Sequence, residues 1–298
     1  MVDVPGTLDE MGVFEPRYRA FLETVASERV RLHRYCNRMV GGTLDGEDVV
    51  QEVLFEAFRK LERQDADRPL LPWLLRIAYN RCIDHLRRHA VQARKETFAA
   101  DPDEAPAPVV TGREVGRALE RMVLLLPPKE RACLLLKDVF DYSLEEVAPL
   151  VGSTVGGVKS ALNRARRKLA QAPPASDRVT PSAADARLQQ LYVERFNRRD
   201  WEGVRKLIAR DCRLRITDVY AGQMGEQYFG NFAALPFEWR LAPGLIDDEG
   251  VVLVMRRGDG GWSTYAVVRL DVGGGRVTRI RQYSRCPWVI DAARLVAE

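Results

Sequence analysis

The sequence predicts a multidomain chain: two all-α helical units, then an α+β unit with a curved antiparallel sheet. Three observations predict it. Apolar residues recur at helical spacing through most of residues 14–171, whereas alternation of strand type dominates after 208. Two stretches rich in Pro and Ala, 97–112 and 172–183, divide the chain at points that cannot pack a core. At 298 residues there is length for two or three domains.

Composition narrows the class. Hydrophobic content of 46% and charged content of 30% are those of an ordinary soluble protein. No apolar run approaches the ~20 residues needed to span a bilayer, and the N-terminus lacks a basic-then-apolar signal pattern, so a cytoplasmic location is expected. The five cysteines are scattered and never spaced as CxxC, which suits small buried apolar residues in a reducing compartment. Net charge is +4, and residues 1–171 carry 27 basic against 26 acidic side chains. Any nucleic-acid binding must therefore come from clustering of cations, since affinity for phosphate follows local density.

Residues 14–40 form the first helical pattern, with Phe21, Val25, Val30, Leu32, Tyr35 and Met39 on its apolar side; Gly41 and Gly42 end it. The second places Val49, Val50, Val53, Leu54, Ala57, Phe58 and Leu61 inward and sets Asp45, Glu47, Asp48, Glu52 and Glu56 on an acidic outer face. Helix-dipole capping accounts for the first of these carboxylates. So many on one face also suits docking to a basic partner. A polar loop at 63–69 leads to the third helix, where Trp73, Leu74, Ile77, Ala78, Ile83 and Leu86 pack. Arg76, Asn80, Arg81, Asp84, Arg87 and Arg88 line its other surface. Aromatic residues beside arginines suit melted nucleic acid; core filling and solvation suit the same residues. Cys82, His85 and His89 share a face of this helix and have metal-binding atom types, but a fourth ligand is not apparent and no metal is expected.

The reader motif lies at 124–169. A helix at Pro128–Phe140 precedes a shorter one that Ser143 caps and Pro149 and Gly152 stop. Thr154 caps the next. There Val155, Val158, Leu162, Ala165 and Leu169 make one apolar stripe, leaving Lys159, Ser160, Asn163, Arg164 and Arg167 outward. Two short helices with a tight glycine turn and cations on the second describe a helix-turn-helix that enters a major groove. A solvated surface helix is the bland alternative.

After 183 come a helix at 184–197, a second near 200–208, and strands at 212–219, 237–241, 251–257, 263–272 and 276–283. Gly273-Gly274-Gly275 lies between alternating runs and reads as a hairpin turn. Tyr220, Tyr228, Phe229, Phe232, Trp239, Trp262, Tyr265 and Trp288 either line a hollow or fill a core.

These motifs resemble extracytoplasmic-function (ECF) sigma factors of the sigma-70 superfamily. Asp45-x-Glu-Asp-x-x-Gln-Glu resembles region 2.2, and Trp73-Leu-x-Arg-Ile-Ala-x-Asn-x-x-Ile-Asp-x-Leu-Arg-Arg resembles regions 2.3 and 2.4. Leu126-Pro-x-x-x-Arg, Ser143-Leu-Glu-Glu-Val-Ala and Val155-Gly-x-Val-Lys-Ser-x-Leu-x-Arg-Ala-Arg resemble region 4. The resemblance implies region 2 over 14–96 and region 4 over 113–171. It implies RNA polymerase contacts, on the beta-prime coiled coil, by Asp45, Glu47, Asp48, Gln51, Glu52 and Phe55, with the beta flap as a further partner. Minus-10 contacts fall to Arg76, Asn80, Arg81, Asp84, Arg87 and Arg88, with a flipped base expected beside the 63–69 loop, Trp73 and Asn80. Minus-35 contacts fall to Thr154, Lys159, Ser160, Asn163, Arg164 and Arg167. Gly157 and Ala161 stand where the family often has Thr and Arg.

Residues 184–298 resemble the SnoaL-like branch of the NTF2-like superfamily, through Leu191-Tyr-Val-Glu-Arg-Phe-Asn-x-x-Asp-Trp-Glu-Gly-Val-x-x-Leu. Some members are cyclases with a His/Asp pair. The histidines here are His33, His85 and His89, none of them in this part, and Asp218 alone makes a weak catalyst, so neither catalysis nor a cofactor is expected. The implied arrangement is a fused regulatory domain in contact with the sigma domains; a stand-alone ligand-sensing regulator is the alternative.

Overall fold

The computed structural model describes residues 16–61, 64, 69–99, 125–171, 183–225, 227–247 and 249–296, with the backbone only at 17, 92–99, 183 and 184. Residues 100–112 and 172–182 of the two expected linkers and most of the 63–69 loop lie outside the described residues; 97–99 instead end one helix and 183 begins another. The chain divides into two compact units; their described residues are 16–171 and 183–296.

In the first unit, α1 (Pro16–Val40), α2 (Thr43–Lys60) and α3 (Leu70–Ala99) pack together. Gly46 allows the close approach of α1 and α2, since a Cβ there would lie 2.7 Å from the Asn37 backbone. Four short pieces follow: α4 (Pro128–Leu134), continued as a π-helical turn over Leu135–Val139, then α5 (Leu144–Leu150) and α6 (Val155–Ala170). One continuous hydrophobic core runs through all of them. Tyr35, Met39, Val50, Val53 and Cys82 belong to it, and so do Leu126, Cys133, Leu136, Val147 and Leu162.

Two residues expected inside are not. Phe58 is half exposed, its ring at the edge of α1, 5.8 Å from Tyr18, and Val30 is also outward.

The second unit begins with α7 (Ala183–Asn197) and α8 (Trp201–Leu207), the latter capped by Asp200, whose side chain accepts from Gly203 N at 2.8 Å. β1 (Ile208–Ile216), β2 (Tyr220–Gln223), α9 (Gln227–Ala233), β3 (Trp239–Ile246), β4 (Glu249–Gly258), β5 (Gly261–Gly273), β6 (Arg276–Tyr283), α10 (Pro287–Ile290) and β7 (Arg294–Leu295) follow. The sheet order is β2-β1-β6-β5-β4-β3-β7, antiparallel except for the parallel β1–β6 pair. Val252, Val254, Ala266, Val268, Val277 and Ile280 form its core face.

Candidate nucleic-acid interface

The reader motif folds as local chemistry dictates. Ser143 and Glu146 complete a capping box on α5: the Ser143 hydroxyl accepts from Glu146 N at 3.2 Å and the Glu146 carboxylate from Ser143 N at 2.7 Å. Hydrogen bonding from Ser143, through its backbone N–H first and then its side chain, holds the Glu146 carboxyl below its ordinary range. Gly152 takes φ +59 to make the turn. Thr154 caps α6, its hydroxyl accepting from Gly157 N at 3.1 Å, and a Cβ at Gly157 would collide with the Ser153 hydroxyl at 2.5 Å. Val158, Ala161, Leu162 and Ala165 are buried. Ala161 therefore packs the core rather than pointing to a reading surface.

Thr154, Lys159, Ser160, Asn163, Arg164 and Arg167 are all exposed along α6. Arg164 has a second engagement. Its Nε donates to Glu130 on α4 at 2.8 Å, and Lys168 Nζ donates to the other oxygen at 2.8 Å. Burial pushes the Glu130 carboxyl up, but the hydrogen bonds from Lys168 and Arg164 outweigh it, leaving the group below the ordinary carboxylate range. Arg166 pairs likewise with Asp138 at 2.7 Å.

The carboxylates of α2 do not all face outward, contrary to the amphipathic reading. Glu47 is fully buried; it accepts from Arg29 at 2.9 Å and from Gln51 at 2.8 Å. Asp48 is buried too, at 7% exposure. The physical reason is that α1 brings Arg29 across this face, so carboxylates read as solvated serve as internal partners. Asp45, Gln51 and Glu52 are half-buried, and the Phe55 ring is 66% exposed. A large apolar ring left so open between carboxylates is the feature of this face with no role in packing.

The surfaces of α2 and α3 adjoin in one groove of about 580 Å³, lined by Glu52, Phe55, Glu56 and Arg59 from one side and Arg81 and Arg88 from the other. Arg88 pairs with Glu52 at 3.0 Å, and Arg81 and Lys60 both pair with Glu56. Burial raises the Glu56 carboxyl, yet these two cations bring it below its ordinary value. Arg81 and Arg88 are thus tied to α2, while Asn80, Asp84 and Arg87 are exposed.

Arg76, expected to face DNA, instead crosses to the reader motif. Its guanidinium donates to the Pro149 carbonyl and, at 3.3 Å, to that of Leu150; a Cβ at Gly152 would lie 3.2 Å from it. Two further arginines make the same kind of crossing. Arg131, 5% exposed, donates to the carbonyls of Met39 and, at 3.1 Å, Leu126. Arg31 donates to Phe140 O at 3.2 Å and lies over Tyr142, 5.3 Å from its ring centre. Neither residue stood out in the sequence as a bridge between helices; Arg131 had been noticed only within a motif.

In the second unit the aromatic residues resolve toward packing. Phe196 lies at the centre, with Trp201, Phe232 and Trp239 at 5.0, 4.8 and 5.8 Å and Tyr228 and Phe229 just beyond. Tyr228, Phe229, Phe232 and Trp239, read as hollow-lining candidates, are core. Tyr220 is exposed at 45%, and Trp262 lies under Arg240 at 4.7 Å. Asp218 sits exposed in the β1–β2 turn at φ +59. Burial pushes the Cys212 thiol up to about 11, with Asp211 adding to it, which leaves that sulfur protonated and unreactive at neutral pH.

A helical unit with a helix-turn-helix, a second cationic helix and a helix that leaves the Phe55 ring exposed beside Glu52 has the build of a DNA-binding protein. Residues 24–91 match Sigma-70 region 2, and residues 116–169 match Sigma-70, region 4. The chain is 31% identical over 153 residues to the ECF RNA polymerase sigma factor SigM of Mycobacterium tuberculosis, covering 51% of this chain and 76% of that protein. It is 28% identical over 167 residues to SigW of Bacillus subtilis, covering 50% of this chain and 87% of that protein. Among solved structures, the crystal structure of the M. tuberculosis ECF sigma factor SigJ matches 89% of this chain and 96% of its own length, at 19% identity and a TM-score of 0.37. The chain belongs to the ECF RNA polymerase sigma factors. Among the described residues, no helix is long and apolar enough to cross a membrane.

Proposed function

We propose that the chain directs core RNA polymerase to promoters, docking through the face of α2 that carries Asp45, Gln51, Glu52 and Phe55. The observation that carries this reading is the Phe55 ring, 66% exposed beside Glu52. Leaving a phenyl ring in water forgoes about 1.5–3 kcal/mol of burial, which a partner recovers. Glu47 lies beneath this face and holds α2 against α1 through Arg29, and Asp48 is buried beside it in the chain. The basic partner surface is the beta-prime coiled coil, with the beta flap receiving region 4.

The minus-10 element is then met by Asn80, Asp84 and Arg87 directly, and by Arg76, Arg81 and Arg88 once they leave their present partners. The minus-35 element is met by Thr154, Lys159, Ser160, Asn163, Arg164 and Arg167. Region 2 over 14–96 and region 4 over 113–171 serve as the two DNA-binding parts, and residues 184–298 regulate them from the cytoplasmic side without catalysis. Two features support a non-enzymatic role for that domain: it has no histidine, and Trp201, Tyr228, Phe229, Phe232 and Trp239 are taken up in packing around Phe196. The stretch 172–183 keeps it at an effective concentration near ~1 mM relative to the sigma part.

The test is core-polymerase binding and promoter-specific run-off transcription with the full chain. Phe55→Ser should weaken core binding by roughly tenfold, a loss of about 1.4 kcal/mol, without changing the helical content. A chain ending at residue 171 should transcribe at an altered level. Unchanged binding by Phe55→Ser rejects the docking face, and unchanged transcription by the truncated chain rejects the regulatory role.

A further inference from the structure

One cluster near the groove joins Asp45 of the proposed docking face to two histidines that have no part in the reading above. His85 and His89 lie one helical turn apart on α3, with ring centres 4.3 Å apart and planes inclined by 33°. Across from them is Asp45 in the first turn of α2. One ligand atom from each of the three lies within 4.8 Å of the others. The sequence had suggested Cys82 as the companion of these histidines, but Cys82 is fully buried in the core. The fold supplies a carboxylate from another helix in its place, which sequence spacing cannot reveal.

We propose that Asp45, His85 and His89 form a binding site for a borderline divalent transition ion of the Zn²⁺ class, closing α2 onto α3. Histidines at i and i+4 on one helix face present two nitrogens to one ion, and a carboxylate oxygen from a neighbouring helix completes a facial set. In a tetrahedral shell with bonds of about 2.0–2.2 Å, ligand atoms sit roughly 3.3–3.6 Å apart. The three donors lie within 4.8 Å of one another, so binding an ion asks them to close by up to about 1.5 Å. The fourth position is open to water. Two nitrogens and one oxygen select Zn²⁺, Co²⁺ or Ni²⁺ over the oxygen-seeking Mg²⁺ and Ca²⁺.

The ion would pin the N-terminal turn of α2 to the middle of α3, adding to the α2–α3 ion pairs Arg81–Glu56 and Arg88–Glu52.

The experiment titrates the metal-free full chain with Zn²⁺ against a chromogenic chelator and records the visible spectrum of the Co²⁺ form. One equivalent should bind and raise the melting temperature. His89→Ala and Asp45→Asn, both on partly or fully exposed side chains, should each weaken Zn²⁺ binding roughly tenfold or more while circular dichroism stays unchanged. Cys82→Ala should leave the affinity intact, and the Co²⁺ form should lack a thiolate charge-transfer band. Absence of stoichiometric binding overturns the proposal. So does unchanged affinity in Asp45→Asn, which would mean the ion sits on the histidine pair alone, and so does a thiolate band, which would move the site to Cys82. The readout is metal binding by the chain itself, and therefore stands or falls apart from polymerase docking.

Discussion

Arg131 ties the end of α1 to the segment ahead of α4 through one guanidinium. It is 5% exposed, and its two nitrogens donate to carbonyls of Met39 at the end of α1 and Leu126 ahead of α4. Burial brings the guanidinium down to about 10, against a smaller opposing pull from Cys82, so it stays charged at neutral pH. Hydrogen bonds from a charged donor contribute about 1.5–3 kcal/mol each, and an abandoned buried acceptor costs a comparable amount. Arg131→Met should therefore destabilise the first unit by about 3 kcal/mol, seen as faster amide exchange in α4 and the end of α1. Arg131→Lys, which cannot reach both carbonyls, should recover only part of this. Exchange rates equal to those of the parent protein would show that the two carbonyls do not depend on it.

At the scale of elements, the clamp between α4 and α6 is electrostatic. Glu130 holds Arg164 and Lys168, and its pKa lies below the ordinary carboxylate value because those cations outweigh its burial. A carboxyl whose folded pKa is depressed lends stability above its unfolded pKa of about 4.3 and loses it as pH falls through the lower folded value. The cations are half exposed, which limits the contribution to roughly 0.5–1 kcal/mol. Acid unfolding of Glu130→Gln should thus show a flatter slope below pH 4.5 than the parent; an identical slope would assign the acid limb to other groups. Glu130 also marks where the sequence was readable and where it was not. The caps at Ser143 and Thr154, the apolar stripe of α6 and the five main strands follow from local pattern, because each depends on residues within one or two turns or one alternating run. The partners of Glu130, Glu47 and Arg76 lie 34, 18 and 73 residues away. Charges bound over such distances look identical in sequence to solvated ones, and so the faces of α2 and α3 were read as more open than they are. The helix Gln227–Ala233 lacked a signal because its aromatic residues are spaced for a core, and the parallel β1–β6 pair joins strands separated by most of the sheet.

At the scale of the molecule, the first unit is a packed form in which the parts proposed to meet two promoter elements share a core. Tyr35 meets Phe140 edge-on at 6.0 Å, and Arg31, Arg76 and Arg131 each bind carbonyls on the opposite part. Two promoter elements set well apart along a duplex cannot both be met until these parts separate. The apparent affinity of such a protein is its intrinsic affinity reduced by the fraction that is open. Arg31→Ala removes a crossing contact without touching the residues proposed to meet DNA. It should raise binding to an isolated minus-35 duplex severalfold, measured by fluorescence anisotropy at fixed salt. Equal affinity would mean that the parts already separate freely.

The guanidinium of Arg76 serves two masters, a main-chain oxygen at the reader motif and, in the proposed complex, a phosphate. It cannot attend to both. Promoter backbone is then a competitor for the latch as much as a ligand for the fold, and each strand that arrives helps unfasten what kept it out. Because dissolved ions weaken the call of phosphate far more than that of a neutral carbonyl sheltered by Gly152, the ionic strength of the surroundings becomes a dial on how readily the latch gives way.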